Sequence, residues 1–207
     1  LLIDHQSGLF QCINDMDFKR VRDHAIALAE AATLAGIPVI TTASVPQGPN
    51  GPLIPEIHQA APHAVYVPRR GEINSWDCPA FVEAVKKTGR KTSSLPVPSQ
   101  ASALPSRPLV QFVMAIKFLP CLMHPVPIPR WRGTFPCRMV QAGVIPMDTS
   151  SAIAEIQQTW HRDDWEKWAN IWARIFTNYG LLLESYAKRR SDENRRTYGQ
   201  PARRLSF

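Results

Sequence analysis

Residues Leu1-Leu2-Ile3-Asp4-His5-Gln6-Ser7-Gly8 end a short apolar run on a carboxylate followed by turn-forming polar residues. An interior parallel strand delivers an acid to the rim of its sheet in this way, and the crevice outside the strand ends is where open α/β sheets bind ligands. Asp4 is therefore a candidate for proton transfer; taken alone, it equally suits a cap on the turn that follows. Arg69 and Arg70 close another β-rich run. Outside any wider context, two arginines at a strand end are a solvated pair. Cys121-x-x-His124 with Cys137 has some likeness to metal spacing. Three ligands without a second close pair make a poor zinc site, so no metal is expected. Gly48-Pro49-Asn50-Gly51 lacks the lysine and the following helix of a phosphate loop, and no dinucleotide fingerprint occurs elsewhere. No cofactor is implied.

The elements that must position these groups alternate. After the first strand, Asp17 precedes Phe18, Val21, Ala25, Leu28, Ala32 and Ala35 at helical spacing, and Gly36 supplies a left-handed stop. Ile37 to Thr42 is a second strand, with Pro38 tolerable only at its start, and Ala64 to Val67 a third. A Pro/Gly loop spans Val45 to Pro55. Asp77 reads as the N-cap of a helix with Pro79 in its first turn, Phe81, Val82 and Val85 facing inward, and Gly89 at its end. Strands and helices in this order predict an α/β fold: a three-layer α/β/α, Rossmann-like parallel sheet with right-handed crossovers.

Three segments now resemble one family: Leu2-Ile3-Asp4-His5-Gln6-Ser7-Gly8-Leu9, Gly48-Pro-Asn-Gly51-Pro-Leu-Ile-Pro55-Glu56, and Arg69-Arg70-Gly71-Glu72-Ile-Asn74-Ser75-Trp76-Asp77. In that order over residues 1–92 they look like the YcaC-like branch of the isochorismatase-like cysteine hydrolases. The resemblance resumes near Arg138, where Met139 to Thr149 look like a late strand and the start of the next helix. It implies a hydrolase acting on a small amide- or ester-type substrate through a Cys nucleophile, an Asp and a basic residue. A fixed cation lowers the thiol pKa, and the carboxylate accepts and returns the proton. By position Asp4 matches the family Asp. Arg69 stands where many relatives carry Lys; it can hold a thiolate by charge but, staying protonated, is a poor proton donor.

The nucleophile is missing. The family places its Cys after the strand that should follow Lys91-Thr92, and none of Cys12, Cys78, Cys121 and Cys137 stands there. Residues 93–137 instead hold nine of the nineteen prolines and no Asp or Glu, a density that argues against helix or interior strand. Reading the third base of each codon with the first two of the next explains the stretch. Met114-Ala115 then forces glycine, Met123-His124 forces alanine, and Val113 to Arg132 permits Asp-Gly-Tyr-Lys-Val-Phe-Ala-Val-Leu-Asp-Ala-Ser-Gly-Thr-Tyr-Ser-Lys-Met-Ala, similar to the family's next strand and loop. The same shift over Ser93 to Arg107 permits Leu-Ile-Ile-Ala-Gly and Val-Cys-Val-Ala-Phe-Pro, with the cysteine at Ala103. Residues 93–137 thus read as a frameshifted insert between two compensating register changes. The central strands are expected to be disrupted and the chain, as written, inactive. The alternative is a catalytically dead, oligomer-forming relative with no enzymatic role.

Charge follows the same division. Residues 93–137 carry four Lys/Arg and no acids, residues 188–207 seven Lys/Arg and two acids, and the remainder is −2 within the net +7. The basicity lies in the insert and the tail, so neither nucleic acid nor a membrane surface is expected as partner. Residues 1–187 read as one hydrolase domain and 188–207 as a basic disordered tail. Thr149-Ser150-Ser151 is expected to cap one helix and Asp163-Asp164 a longer one carrying an aromatic stripe of Trp165, Trp168, Trp172, Phe176 and Tyr179. So large an apolar face suits a subunit interface, and the resemblance implies a homo-oligomer. Unpatterned cysteines and the lack of a signal peptide or spanning run predict a cytoplasmic setting. The chain opens inside its first strand, so an N-terminal segment is expected to have been lost.

Overall fold

The computed structural model describes residues 1–11, 17–90, 92–97, 117–122, 141 and 147–198. β1 (Leu2–Ile3), β2 (Ile40–Ser44) and β3 (Val65–Arg69) form a parallel sheet in that order, with Leu2 opposite Thr41 and Ile40 opposite Val65. Along β3 the Val65 N–H donates to Val39 and the Arg69 carbonyl accepts from Val45. Alternation then turns the backbone groups of Tyr66 and Pro68 away from β2, so Pro68 spends its missing N–H on the outer edge.

Between β1 and β2 run α1 (Ser7–Gln11) and α2 (Phe18–Leu34). The Asp17 carboxylate accepts from the Lys19 N–H at 2.9 Å, and Gly36 takes φ +62° just past the helix end, both where the sequence places them. Phe18 is exposed, because the first helical residue lies outside the packing. Small residues let α2 be approached from two sides. Val21, Ala25 and Ala29 pack with Leu2, Phe10, Val39, Ile54 and Ile57, while Ala27, Leu28 and Ala31 pack with Ile153, Trp168, Ile171 and Ile175. The loop expected from Val45 to Pro55 gives way to α3 (Pro55–Ala60), with Pro55 in the first turn.

After β3, Asn74 caps a 3₁₀ turn (Ser75–Asp77), its side chain accepting from Trp76 N–H. Cys78, not Asp77, is the N-cap of α4 (Pro79–Lys87), because Asp77 is consumed by that turn. Phe81 and Val85 are buried as expected, Phe81 edge-on to Trp76. Val82 is half-buried.

Residues 93–137 were expected to be irregular, and here the structure differs. β4 (Thr92–Val97) and β5 (Lys117–Leu122) pair in parallel over six residues, and β5 pairs with β6 (Met147–Asp148). These strands make a second three-stranded sheet, β4-β5-β6, and β4 lies near β1, with Cα atoms within 8 Å. The prolines in these strands, Pro96 and Pro120, stand opposite Cys121 and Leu95. A proline deletes one donor but keeps its carbonyl and an extended φ, so single prolines thin a ladder without ending it. Residues 98–116 and 123–137 lie outside the described residues.

β6 leads into α5 (Thr149–Gln157), whose N-cap is Asp148, accepting from Ser151 N–H at 2.6 Å, not one of the three hydroxyl residues after it. α6 (Trp165–Ile175) and α7 (Thr177–Tyr198) replace the single long helix expected. The break falls at Phe176, which takes φ −117°, ψ 101°. The Asp164 carboxylate caps no N–H of α6; it accepts from Arg162 and from the Trp168 indole. The aromatic stripe is accordingly divided. Trp168 is fully buried against α2 and α5, whereas Trp165 and Phe176 are exposed. Lys188 to Tyr198, expected as disordered tail, continue α7. From Leu181 to Tyr198 no Gly or Pro interrupts a run rich in Leu, Glu, Lys and Arg, and opposite charges recur four residues apart at Glu184/Lys188 and Asp192/Arg196. Residues 199–207 lie outside the described residues. No described helix is long and apolar enough to cross a membrane.

Trp168→Ala should cost about 3–5 kcal/mol, the range for emptying a large aromatic from a core. Trp165→Ala, at 41% exposure, should cost under about 1 kcal/mol. Urea unfolding of the two variants checks this division of the stripe.

Candidate active site

β1 stops at Ile3 because Asp4 turns out of the strand: its φ is +58°, a left-handed conformation that Asp tolerates better than most residues. The Asp4 N–H still donates to the Thr42 carbonyl at 3.0 Å, which ties the turn to the middle of β2. Such a conformation costs on the order of 1–3 kcal/mol and persists only where its surroundings enforce it.

Arg69, the last residue of β3, meets it. Arg69 Nη2 donates to Asp4 Oδ1, with the Arg69 side chain 0% and the Asp4 side chain 9% exposed. The rest of the guanidinium is also engaged: Nε donates to Thr42 Oγ1 at 3.2 Å, and Nη1 to the carbonyls of Glu72 at 2.7 Å and Ile73 at 2.9 Å. Removing two charges from water costs several kcal/mol per ion, recovered only when each remaining hydrogen is met. Arg70 is exposed. The adjacent arginines therefore divide into one buried member of an ion pair and one solvated charge. Glu72, on the loop that carries these carbonyls, is held below the usual carboxylate range, first by its own backbone N–H, with Arg70 N–H, Gly71 N–H and the Arg69 charge acting in the same direction.

The floor is tied down by Gln6 and by the loop after β2. Gln6 Nε2 donates to the carbonyls of Ser44 and Gly51, and its Oε1 accepts from Ser44 N–H at 2.9 Å. Gly8 N–H donates to the Asn50 carbonyl at 2.8 Å, and a β-carbon there would overlap the Pro49 carbonyl oxygen. Gly51, at φ +70°, packs against Ser7. The Gly-Pro-Asn-Gly motif is thus a backbone clamp on residues 6–8, not a phosphate cradle. His5 is fully buried, 6.2 Å from Phe10 between ring centres. Burial above all lowers its pKa to about 4, so it is neutral near pH 7. Among the described residues, no group of three His, Cys, Asp or Glu is placed to hold a metal.

An acid and a cation joined at the ends of β1 and β3, on either side of β2, can take up a proton on the acid and hold a negative nucleophile by the cation's charge. Comparison with known proteins decides the kinship. The chain is 32% identical over 196 residues to the probable hydrolase YcaC of Escherichia coli K12, covering 90% of this chain and 89% of that protein. The chain belongs to the YcaC-like branch of the isochorismatase-like hydrolases. The crystal structure of the Escherichia coli YcaC gene product, an octameric hydrolase of unknown specificity, superposes with a TM-score of 0.78 at 30% identity, over 90% of this chain and 92% of that one. YcaC from Pseudomonas aeruginosa, solved with hexane-2,5-diol and covalent acrylamide, matches over the same shares with the same TM-score and identity. The MAR1 ribonuclease of Caenorhabditis elegans, 15% identical with a TM-score of 0.63 over 82% of this chain and 86% of its own, shares the fold alone. No family profile matches the chain.

Asp4 and Arg69, assigned together through the family resemblance, are in contact; Ala103 lies outside the described residues. Thr42 and Gln6 were missed by sequence reasoning. Thr42 carried one available signal: it ends the second β run, where Asp4 and Arg69 end the first and third.

Removing one partner leaves the other charge buried and unpaired. Arg69→Met should destabilise by about 3–5 kcal/mol, and adding Asp4→Asn should cost much less than it does alone; a urea-unfolding cycle reads the coupling. His5 sets an acid limit. Its folded pKa lies below its ordinary 6.5, so the unfolded state binds the extra proton, and stability falls as pH drops from about 6.5 toward 4, by about 1.4 kcal/mol per pH unit from this group. His5→Leu should flatten that part of the stability–pH curve in thermal melts.

Proposed function

We infer that the chain carries the acid and the cation of a thiol-dependent hydrolase for a small amide- or ester-type substrate, and that it is inactive as written because the sulfur is missing. The reading is carried by the Arg69–Asp4 pair at the strand ends, in a chain 32% identical over 196 residues to a probable hydrolase. In this reading Asp4 relays the proton and Arg69 stabilises the thiolate by charge, since a guanidinium does not give up its proton at ordinary pH. The nucleophile's place falls at Ala103, where the out-of-register message permits Cys; a methyl group cannot attack a carbonyl. A full-length message without register changes around codons 92–138 would remove the frameshift explanation. The setting proposed is cytoplasmic.

A specific observation favours the second reading, an oligomer-forming chain without turnover. Leu181, Leu182 and Tyr186 on α7, with Phe176 before it, are exposed apolar side chains, more than a solvated helix needs. A YcaC relative is octameric, so α7 and the aromatic residues before it are the interface proposed here.

Assays on small amides such as acetamide and propionamide should show no turnover above the uncatalysed rate, equally before and after alkylation with iodoacetamide. Turnover abolished by alkylation would overturn the inactivity, and with it the missing-thiol account.

A further inference from the structure

At the end of the sheet away from Asp4 and Arg69, where β2 and β3 begin, a cavity of about 440 Å³ opens between the C-terminal ends of α2 and α4. Val39, Ile40, Val65 and Ala84 line it, with His63 and Lys87 among its polar residues. Val65 is 53% exposed and Ile37, next to the lining residue Pro38, is exposed as well, so apolar surface continues past the cavity. A pocket of this size and lining suits a large aromatic anchor. The end of α4 beside it is positive. Lys86, Lys87 and Arg90 are exposed there and outnumber Glu83, whose exposed pair with Lys87 at 3.0 Å is of the kind that changes partners at little cost.

We propose that this cavity receives Trp165 from a second copy of the chain, with Asp163 and Glu166 beside that indole facing the basic end of α4. The inference rests on the reading of the aromatic segment before α7 as a subunit interface, and names the surface that meets it. Trp165 opens α6 and is exposed, between the exposed acids Asp163 and Glu166. Of the neighbouring cations, Arg162 is engaged by Asp164, and Lys167 opposes the two acids singly. The other exposed apolar groups suit the cavity less well. Trp160 stacks on Tyr179, and Phe176 on Trp172, within their own chain. Leu181, Leu182 and Tyr186 run into Lys188, Arg189 and Arg190, which would set like charges against Lys86 and Lys87. Cavity and indole are open in the same chain, so the partner is another copy. The contact joins unlike surfaces, and each subunit offers one of each.

Analytical ultracentrifugation of the full chain over a range of concentrations tests this without needing turnover. The wild type is expected to self-associate. Trp165→Ala, Glu166→Lys and Lys87→Glu should each weaken association about tenfold or more, with circular dichroism showing the chain still folded. The double variant Glu166→Lys/Lys87→Glu reverses both surfaces and should recover the wild-type affinity. Mixing the two single charge variants should give pairs that neither forms alone. Asp163→Lys takes the place of Glu166→Lys if that chain does not fold. An oligomer indifferent to these substitutions would overturn the cavity as the receiving surface and leave the interface reading standing. Single variants that the double reversal does not rescue would do the same. A wild type that stays monomeric at every concentration would overturn both.

Discussion

One ion pair, buried between the ends of the first and third strands, constrains much of what surrounds it. A guanidinium taken out of water needs hydrogen-bond acceptors, and the chain supplies a carboxylate, a hydroxyl and two loop carbonyls drawn from three segments. Each donor–acceptor bond also fixes a piece of backbone. Asp4 leaves β1 in a left-handed turn, Thr42 joins β2 to both partners, and the chain after Arg69 curls so that the carbonyls of Glu72 and Ile73 point back. The cost of desolvating the pair therefore shapes the loops at this end of the sheet, and those loops are where a substrate would arrive.

The helices serve the same end by different means. α2 has small residues on two sides, which lets it sit close to the strands and at the same time accept α5 and α6. The position of Asp4 is thus backed by packing on one side of the sheet and by the Gln6 clamp at its rim. The kinship with YcaC proteins, extending over nine-tenths of the chain, fits a scaffold held this way.

What was legible in the sequence depended on whether the signal was local. Asp4 showed itself because an apolar run stops on it, and α2 because its period, cap and terminating glycine agree. Arg69 could be singled out only through the family's register, since a strand-end arginine reads the same whether buried or solvated. The roles of Thr42 and Gln6 depend on side-chain bonds to residues 27 and 38 positions away, which no local pattern announces. The break at Phe176 is not marked by glycine or proline, and the stripe looked continuous because helical spacing survives a single extended residue. The strands at 92–97 and 117–122 were misjudged by counting prolines over the whole segment rather than the donors each short ladder loses.

Pro68 bears on how copies of this protein can meet. An open edge strand invites another strand to join it, the route by which sheets grow from molecule to molecule. With the outward N–H of β3 deleted at Pro68, that edge offers an incomplete template, and end-to-end sheet growth is discouraged where the strand is otherwise exposed. For copies of this chain, joining strand to strand along that edge is disfavoured.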